Sequence, residues 1–396
     1  MDMAGRVLCW RRAFNRMTEV GELVEISRFA GRDVLLVQGG GGNASVKSSD
    51  GARMWIKASG VRLREVTRDS GYVETDLPSL VALMRHPDLT ARSRSQAHEE
   101  FVRRLQTSPR PSLEIGFHAV LTRVVLHTHP VYVNAFACME GGEAALAEAL
   151  SEPVVWVRYE PPGYALGAEV DTVAAGFQRT HGHLPATIVL SNHGLIAAGA
   201  RGAEVIAATR RLVGAGKAHF GVVPARARAG AAPPRRLVAW GERFEQVLRR
   251  RAPGRDVVVR ATTRVALIQA AREPDRWLTA GPLVPDDVVY GGHKVWRAEV
   301  TDSAETWLDR EVRSEPAKMI VTVTGLGVVF AASGHHMVDA MEENLLAHVL
   351  TRQLIARRGR ARVLPPDEID YLRSMESEKY REAVAAGFAD GAERKT

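Results

Sequence analysis

Apolar residues recur at three- and four-residue spacing near the start of the chain (Phe14, Met17, Val20, Leu23, Val24, Ile26, Phe29), which predicts an amphipathic helix over 14–31, ended at Gly31. The period then changes. DVLLVQ (33–38) is a short continuous apolar run, expected as a strand, and it leads into Gly39-Gly40-Gly41-Gly42-Asn43-Ala44-Ser45. Ser45–Lys47 and Met54–Lys57 flank a Ser-Ser-Asp-Gly turn, the pattern of a hairpin. Helical spacing returns over 75–85 and 95–106, and a short helix opening near Ser112 is expected to carry Glu114 in its first turn. The β-branched run Val124-Val125-Leu126 predicts a strand leading to His127 and His129. A helix over 132–150 interrupted at Gly141-Gly142, a strand at 154–159 and a helix at 169–180 follow. ATIVLSNHGLIAAG then reads as two apolar strands around a turn at Asn192-His193-Gly194, closed by a helix at 202–216.

Residues 222–236 are rich in Pro, Gly, Ala and Arg without periodicity and predict a linker, which divides the chain into domains at 1–221 and 237–396. The second part predicts a helix (237–251), a strand (VVVRAT), a further helix through 274, a turn-rich segment GPLVPDDVVYGG, two strands in MIVTVTGLGVVFAASG, and helices at 336–357 and 366–386. IVTVTGLGVVFAAS echoes IVLSNHGLIAAG without its histidine, which raises the expectation of a degenerate related fold in the second domain.

Composition narrows the function classes. Apolar residues at 45% and charged residues at 25% are those of a globular protein and exclude wholesale disorder. No stretch approaches transmembrane length, so no membrane partner is expected. Cys9 and Cys138 are the only cysteines, which fits a reducing cytoplasm rather than a disulfide framework. The net charge of +7 comes mainly from arginines spread along the chain, with no recognition-helix or zinc-finger signature, so no nucleic-acid partner is expected. A basic cleft also suits an anionic small molecule.

Residues two apart in a strand share a face, so His127 and His129 project together, an arrangement suited to a divalent metal that still needs a third ligand and an open position. His193, where an apolar strand ends in a turn, is the candidate third ligand; His181 and His183 compete from a loop with no strand behind them. His118 lies four residues after Glu114 on the same helical face and reads better as a hydrogen-bonded histidine than as a ligand. The four glycines let backbone N–H groups approach an oxyanion, with Asn43 and Ser45 as side-chain donors and Ser59-Gly60 as a second small-residue turn. Gly39, Gly41 and Ala44 also satisfy a dinucleotide fingerprint, but that motif must open a helix, and a hairpin follows here.

GGGGNASVK, WIKASG, PSLEIGFH, VVLHTHP and LSNHGLIAAG, in that order over residues 38–199, closely resemble the class II aldolase/adducin family, and within it the rhamnulose-1-phosphate aldolase-like branch. GPLVPDDVVY and MESEKYREA are similar to the C-terminal part of that branch. The resemblance implies an α/β fold, layered α-β-α, whose central, mainly antiparallel sheet is flanked by helices, with a C-terminal α+β extension. It implies His127, His129 and His193 as ligands of Zn2+ or another divalent metal, Glu114 as the acid/base, and phosphate contacts from Gly42, Asn43, Ser59, Gly60 and Ser112. Members are commonly cyclic tetramers with active sites at subunit interfaces, so a homo-oligomer is implied. The tyrosine a neighbouring subunit supplies in relatives has no clear match. Leu113 stands where some phosphate-binding members have a second serine, and Ala44 where this branch often has threonine.

The implied function is a metal-dependent aldolase, a carbon–carbon lyase that reversibly cleaves a ketose 1-phosphate or similar sugar phosphate to dihydroxyacetone phosphate and an aldehyde through a metal-stabilised enediolate. Two alternatives stand beside it. The same site suits a sugar-phosphate 4-epimerase, a decarboxylase or an aldolase of specialised metabolism, and the fold alone suits a non-catalytic adducin-like interaction protein. Three histidines and Glu114 speak for catalysis, because an interaction scaffold has no physical need of them.

Overall fold

A computed structural model describes residues 3–105, 107, 109–228, 230–254, 256–291, 294–312 and 318–375. The helix expected at 366–386 is present as Pro366–Ser374; its remainder and most of MESEKYREA lie outside the described residues. The chain divides into two compact units, one holding residues 3–133 and 143–215, the other 134–142 and 216–375.

The first unit is built on a seven-stranded sheet. Its strands are β1 (Asn43–Lys47), β2 (Arg53–Lys57), β3 (Tyr72–Asp76), β4 (Val124–Thr128), β5 (Val155–Val157), β6 (Thr187–Leu190) and β7 (Gly194–Gly199), in the order β3-β2-β1-β4-β7-β6-β5. All pairs are antiparallel except β5 with β6. β4 is central, and its Val124, Val125 and Leu126 are fully buried, as a strand covered on both faces requires. Alternation sends Val124 and Leu126 into the helices Met3–Gly31 and Gly202–Phe220, and Val125 into Phe117 and the helix Tyr164–His181. The architecture is therefore α-β-α, with a central, mainly antiparallel sheet, in agreement with the expected fold class.

The run 33–38 is not a strand. Asp33 accepts the N–H groups of Leu36 and Val37 on its carbonyl and that of Leu35 on its carboxylate, which folds the run into turns. The carbonyls of Leu36 and Leu35 are left to accept His129 N and Val131 N, so this buried loop secures the chain just beyond β4. The hairpin after the glycines forms as expected from β1 and β2. The helix predicted over 132–150 is two, Val131–Ala137 and Gly142–Ala149. A Cβ at Gly142 would lie 1.9 Å from the Phe136 carbonyl, so only glycine permits that break.

The second unit holds a four-stranded sheet in the order β8-β11-β10-β9, from β8 (Val258–Ala261), β9 (Trp296–Ala298), β10 (Lys318–Val323) and β11 (Gly327–Ala332). Helices Arg235–Arg251 and Ala304–Glu311 cover one face, and Val265–Ala270, Pro285–Gly291 and His335–Ile355 the other. GPLVPDDVVYGG, expected as turns, thus contains the helix Pro285–Gly291; Asp287 bonds the N–H groups of Leu283 and Val284 and so satisfies the donors at its start. Residues 222–236 hold the short helix Ala225–Arg228. The four strands pair in the same order and senses as β4-β7-β6-β5 of the first unit: two antiparallel pairs, then a parallel one. Both central hairpins use three-residue turns with a left-handed middle residue, Asn192 (φ 50°) and Gly325 (φ 77°).

Trp307 anchors the second unit's core. It is fully buried, packs edge-on against Trp240 and Phe244, and donates its indole N–H to the Arg297 carbonyl at 2.7 Å. Trp307→Ala is expected to cost about 3–5 kcal/mol, seen as a lower urea midpoint at unchanged slope. A midpoint equal to that of the parent would refute this placement.

Candidate metal centre

Strand pairing brings the site together. β1 and β4 place Asn43 opposite His127, and Ser45 opposite Val125. His127 therefore shares its sheet face with Val125, and the chain beyond β4, held by Leu36, brings His129 back beside it. His193 comes from the β6–β7 turn, and β7 pairs with β4 so that Ile196 stands opposite His127. Glu114 does not sit in the first helical turn as expected. It is the residue before the helix Ile115–Val120, with φ −93° and ψ 13°. Ser112 is not the helix cap either: its carbonyl accepts Ile115 N at 3.1 Å, and its hydroxyl accepts the Asn43 amide at 2.9 Å and the N–H of Glu114, the residue before the helix, at 3.4 Å.

Glu114, His127, His129 and His193 are all buried. His127 Nδ1 lies 3.0 Å from the Leu195 carbonyl, which can only accept, so Nδ1 carries the proton and Nε2 keeps its lone pair. That lone pair faces His129 Nε2 at 3.0 Å and Glu114 Oε2 at 3.5 Å. His193 Nε2 is 3.1 Å from Glu114 Oε1, and its Nδ1 is buried without a hydrogen-bond partner. One ligand atom from each histidine lies within 4.8 Å of the others, and among the described residues no second group of this kind occurs.

This donor set fits a divalent cation. Burial drives the His127 imidazole down to about 3, so it is neutral, the form that ligates. Burial would raise the Glu114 carboxyl; only positive charge within the His127, His193 and His129 group would hold it well below the usual carboxylate range. A carboxylate oxygen and imidazole lone pairs facing one another at 3.0–3.5 Å repel unless a positive charge lies among them. The spacing of 3.0 Å between His127 and His129 is near the roughly 3.4 Å between tetrahedral ligands that each bind zinc at about 2.0–2.1 Å. His181 and His183, the competing ligands, are exposed and pack on Phe177 away from the cluster.

The predicted anion contacts are also gathered. Gly42 (φ 64°) crosses so close to β4 that a Cβ there would meet the His127 carbonyl at 2.8 Å. Ser59 N bonds the Arg110 carbonyl and Ser112 N the Lys57 carbonyl, tying the Ser59-Gly60 turn to the segment before Glu114. Two features escaped the sequence reading. The Asn43 amide, expected for phosphate, donates to Glu114 Oε2 at 2.7 Å. Lys57 is buried and donates to the carbonyls of Val61 (2.7 Å) and Gly40 (3.3 Å), lacing the two glycine turns together. The register of a hairpin against a distant strand, which creates both contacts, has no local signature.

In the turn Asn192-His193-Gly194 the left-handed residue is Asn192, not the glycine. Gly194 is needed for space: a Cβ would lie 2.5 Å from the Thr128 carbonyl, 2.9 Å from His129 Cδ2 and 3.0 Å from His127 Cε1. Gly194→Ala is accordingly expected to push the two rings apart and lower affinity for Zn2+ by about ten-fold or more, measured by competition with a chromophoric chelator. Unchanged affinity would count against these rings as ligands.

Residues 21–218, half of the chain, match the family described as Class II Aldolase and Adducin N-terminal domain. A curated relative, an uncharacterized oxidoreductase, YuxG, of Bacillus subtilis (strain 168), is 30% identical over 193 residues, which are 45% of this chain and 26% of that protein. The chain thus spans about a quarter of the length of that relative. Among solved structures, the N-terminal class II aldolase domain of a conserved protein from Thermoplasma acidophilum is 25% identical, covering 50% of this chain and 92% of that one at a TM-score of 0.43. A sugar-phosphate aldolase from Thermotoga maritima is 17% identical, covering 52% and 97% at a TM-score of 0.36. No described helix is long and apolar enough to cross a membrane. With half its length matched to the family and a buried three-histidine group in the matched part, the chain belongs to the class II aldolase and adducin family.

Proposed function

We propose that the protein is a divalent-metal-dependent lyase of the rhamnulose-1-phosphate aldolase-like type, reversibly cleaving a ketose 1-phosphate to dihydroxyacetone phosphate and an aldehyde. The observation that carries this reading is a buried carboxylate set 3.1–3.5 Å from the nitrogens of two buried histidines in a three-histidine group. His127, His129 and His193 would hold the ion, and three neutral imidazoles suit Zn2+. When bound, the ion supplies Lewis-acid stabilisation of the negative charge that develops on oxygen as the carbon–carbon bond breaks.

The remaining work falls to the chain's own groups. Glu114 would deliver a proton to the carbon left electron-rich by cleavage and remove it in the reverse direction. The Asn43 amide holds Glu114 Oε2 at 2.7 Å and so limits the directions the carboxylate can take. Gly42, Ser59, Gly60 and Ser112 would take the phosphate, spending binding energy on orientation away from the reacting carbon, while the Asn43 amide is engaged with Glu114 and Ser112.

The test is to measure bound metal in the purified chain and assay a panel of ketose 1-phosphates for dihydroxyacetone phosphate release. Glu114→Gln is expected to keep the metal and lose about 100- to 10,000-fold in kcat. His129→Ala is expected to lose the metal, and chelation to abolish turnover of the parent. A metal-free preparation whose activity is indifferent to both substitutions would sink the proposal. Bound metal without cleavage would shift the reading to 4-epimerisation or decarboxylation at the same site.

A further inference from the structure

Behind Glu114 lies a run of buried polar side chains, of which the proposed chemistry leaves Ser45 and His118 unused. Asn43 Nδ2 donates to Glu114 Oε2 at 2.7 Å and to Ser112 Oγ at 2.9 Å, which turns its carbonyl oxygen the other way, onto His118 Nε2. An amide oxygen only accepts, so His118 must carry its proton on Nε2. Burial holds this imidazole neutral, well below its ordinary value, which leaves Nδ1 as a lone pair. Ser45 Oγ, 2.7 Å from that nitrogen, is then the donor. The bonds run in one direction, from Ser45 to His118 to Asn43 to Glu114. Ser45 and His118 are fully buried, and Asn43 is 2% exposed.

We infer that His118 is a positioning residue, fixing through its Nε2–H which end of the Asn43 amide faces the Glu114 carboxylate. The physical need is plain. Asn43 reversed would set its oxygen against Glu114 Oε2, two acceptors in a buried site, and the carboxylate would swing away. His118 forbids that orientation, because its Nε2–H needs an acceptor and Asn43 Oδ1 is the atom that supplies it. Its ring stacks on Phe117 at 4.7 Å, and the Phe117 ring meets His127 edge-on at 5.5 Å, so the same aromatic contact sets the histidine behind the carboxylate and the histidine beside it. Filling space alone would not demand a polar side chain here, nor a series of bonds that ends on Glu114. The inference rests on the acid/base role proposed for Glu114.

Two measurements on the full-length, metal-loaded protein test it. In protein labelled with 15N at histidine, the ring signals lost in His118→Gln identify His118 in the parent; they are expected to show the proton on Nε2 and a bare Nδ1. The Asn43 side-chain amide signals are expected to shift in His118→Leu and to return toward the parent in His118→Gln, whose amide N–H can replace Nε2–H. In kinetics, His118→Leu is expected to lower kcat by about ten- to hundred-fold with KM and metal content near the parent's, and His118→Gln to recover most of the loss. A proton on Nδ1, an Asn43 amide indifferent to both variants, or equal losses of kcat in the two variants would overturn the inference. Should the parent cleave no ketose phosphate, the lyase reading falls by itself; the tautomer and the Asn43 shifts still decide whether His118 orients that amide. If His118→Leu does not fold, the parent tautomer and the glutamine variant decide it.

Discussion

Burying a carboxylate among imidazole lone pairs is the constraint to which the first unit answers. Water no longer solvates these groups, so each must be held where its neighbours offset the loss. The sheet does this with backbone rather than with bulk. β7 presents the Leu195 carbonyl that fixes the His127 tautomer, and the loop at 33–38 gives up the Leu36 carbonyl to secure His129 N. β1 delivers Asn43 to Glu114, and Gly194 withdraws its side chain so that two rings can pass above it. Each of these elements has a packing role as well, but none of the packing requires four ionisable groups within a few ångströms.

The second unit shows what the same strand pairing looks like without that constraint. Val329 of β11, two residues after Gly327, stands opposite Ala261, as Ile196, two residues after Gly194, stands opposite His127. By the same count Thr263 takes the place of His129, and Leu326, just before Gly327, that of His193. A carboxylate is present there too. Glu342 accepts from Thr262 Oγ1 at 2.7 Å, Thr263 N at 3.2 Å and Arg260 Nη2 at 3.2 Å, so protein donors satisfy it. Four strands in this order are thus stable with Ala, Thr and Leu at those positions, and the histidines of the first unit are not a folding requirement.

Much of this was legible from residues close together in the chain. The strand that carries His127, the hairpin after the glycines and the His193 turn follow from local period and turn chemistry, whereas the layered sheet came with the family resemblance. The misread segments failed for physical reasons of two kinds. The run 33–38 has a strand's apolarity, but Asp33 collects its N–H groups before any neighbouring strand can. Pro285–Gly291 carries turn residues, yet Asp287 converts them into a helix start. The contacts of Asn43 and Lys57 were invisible for another reason: they span 71 and 17 residues and depend on register and loop closure, which no single segment encodes.

Lys57 bears on the anion-binding role proposed for the glycine turns. A phosphate approaching the glycine turns would meet the carbonyls of Gly40 and Val61 as well as their N–H groups, and exposed carbonyls repel it. The buried Lys57 amine engages both carbonyls, and that of Ala58 at 3.4 Å, so these acceptors are occupied. Under the proposed function, a ligand that carries its negative charge at one end would set its phosphate at the turns and its polar carbon skeleton toward the histidines. In that reading, acceptors already occupied by Lys57, rather than a hydroxyl at position 113, would admit the phosphate. A leucine there is compatible with a phosphorylated substrate for this reason.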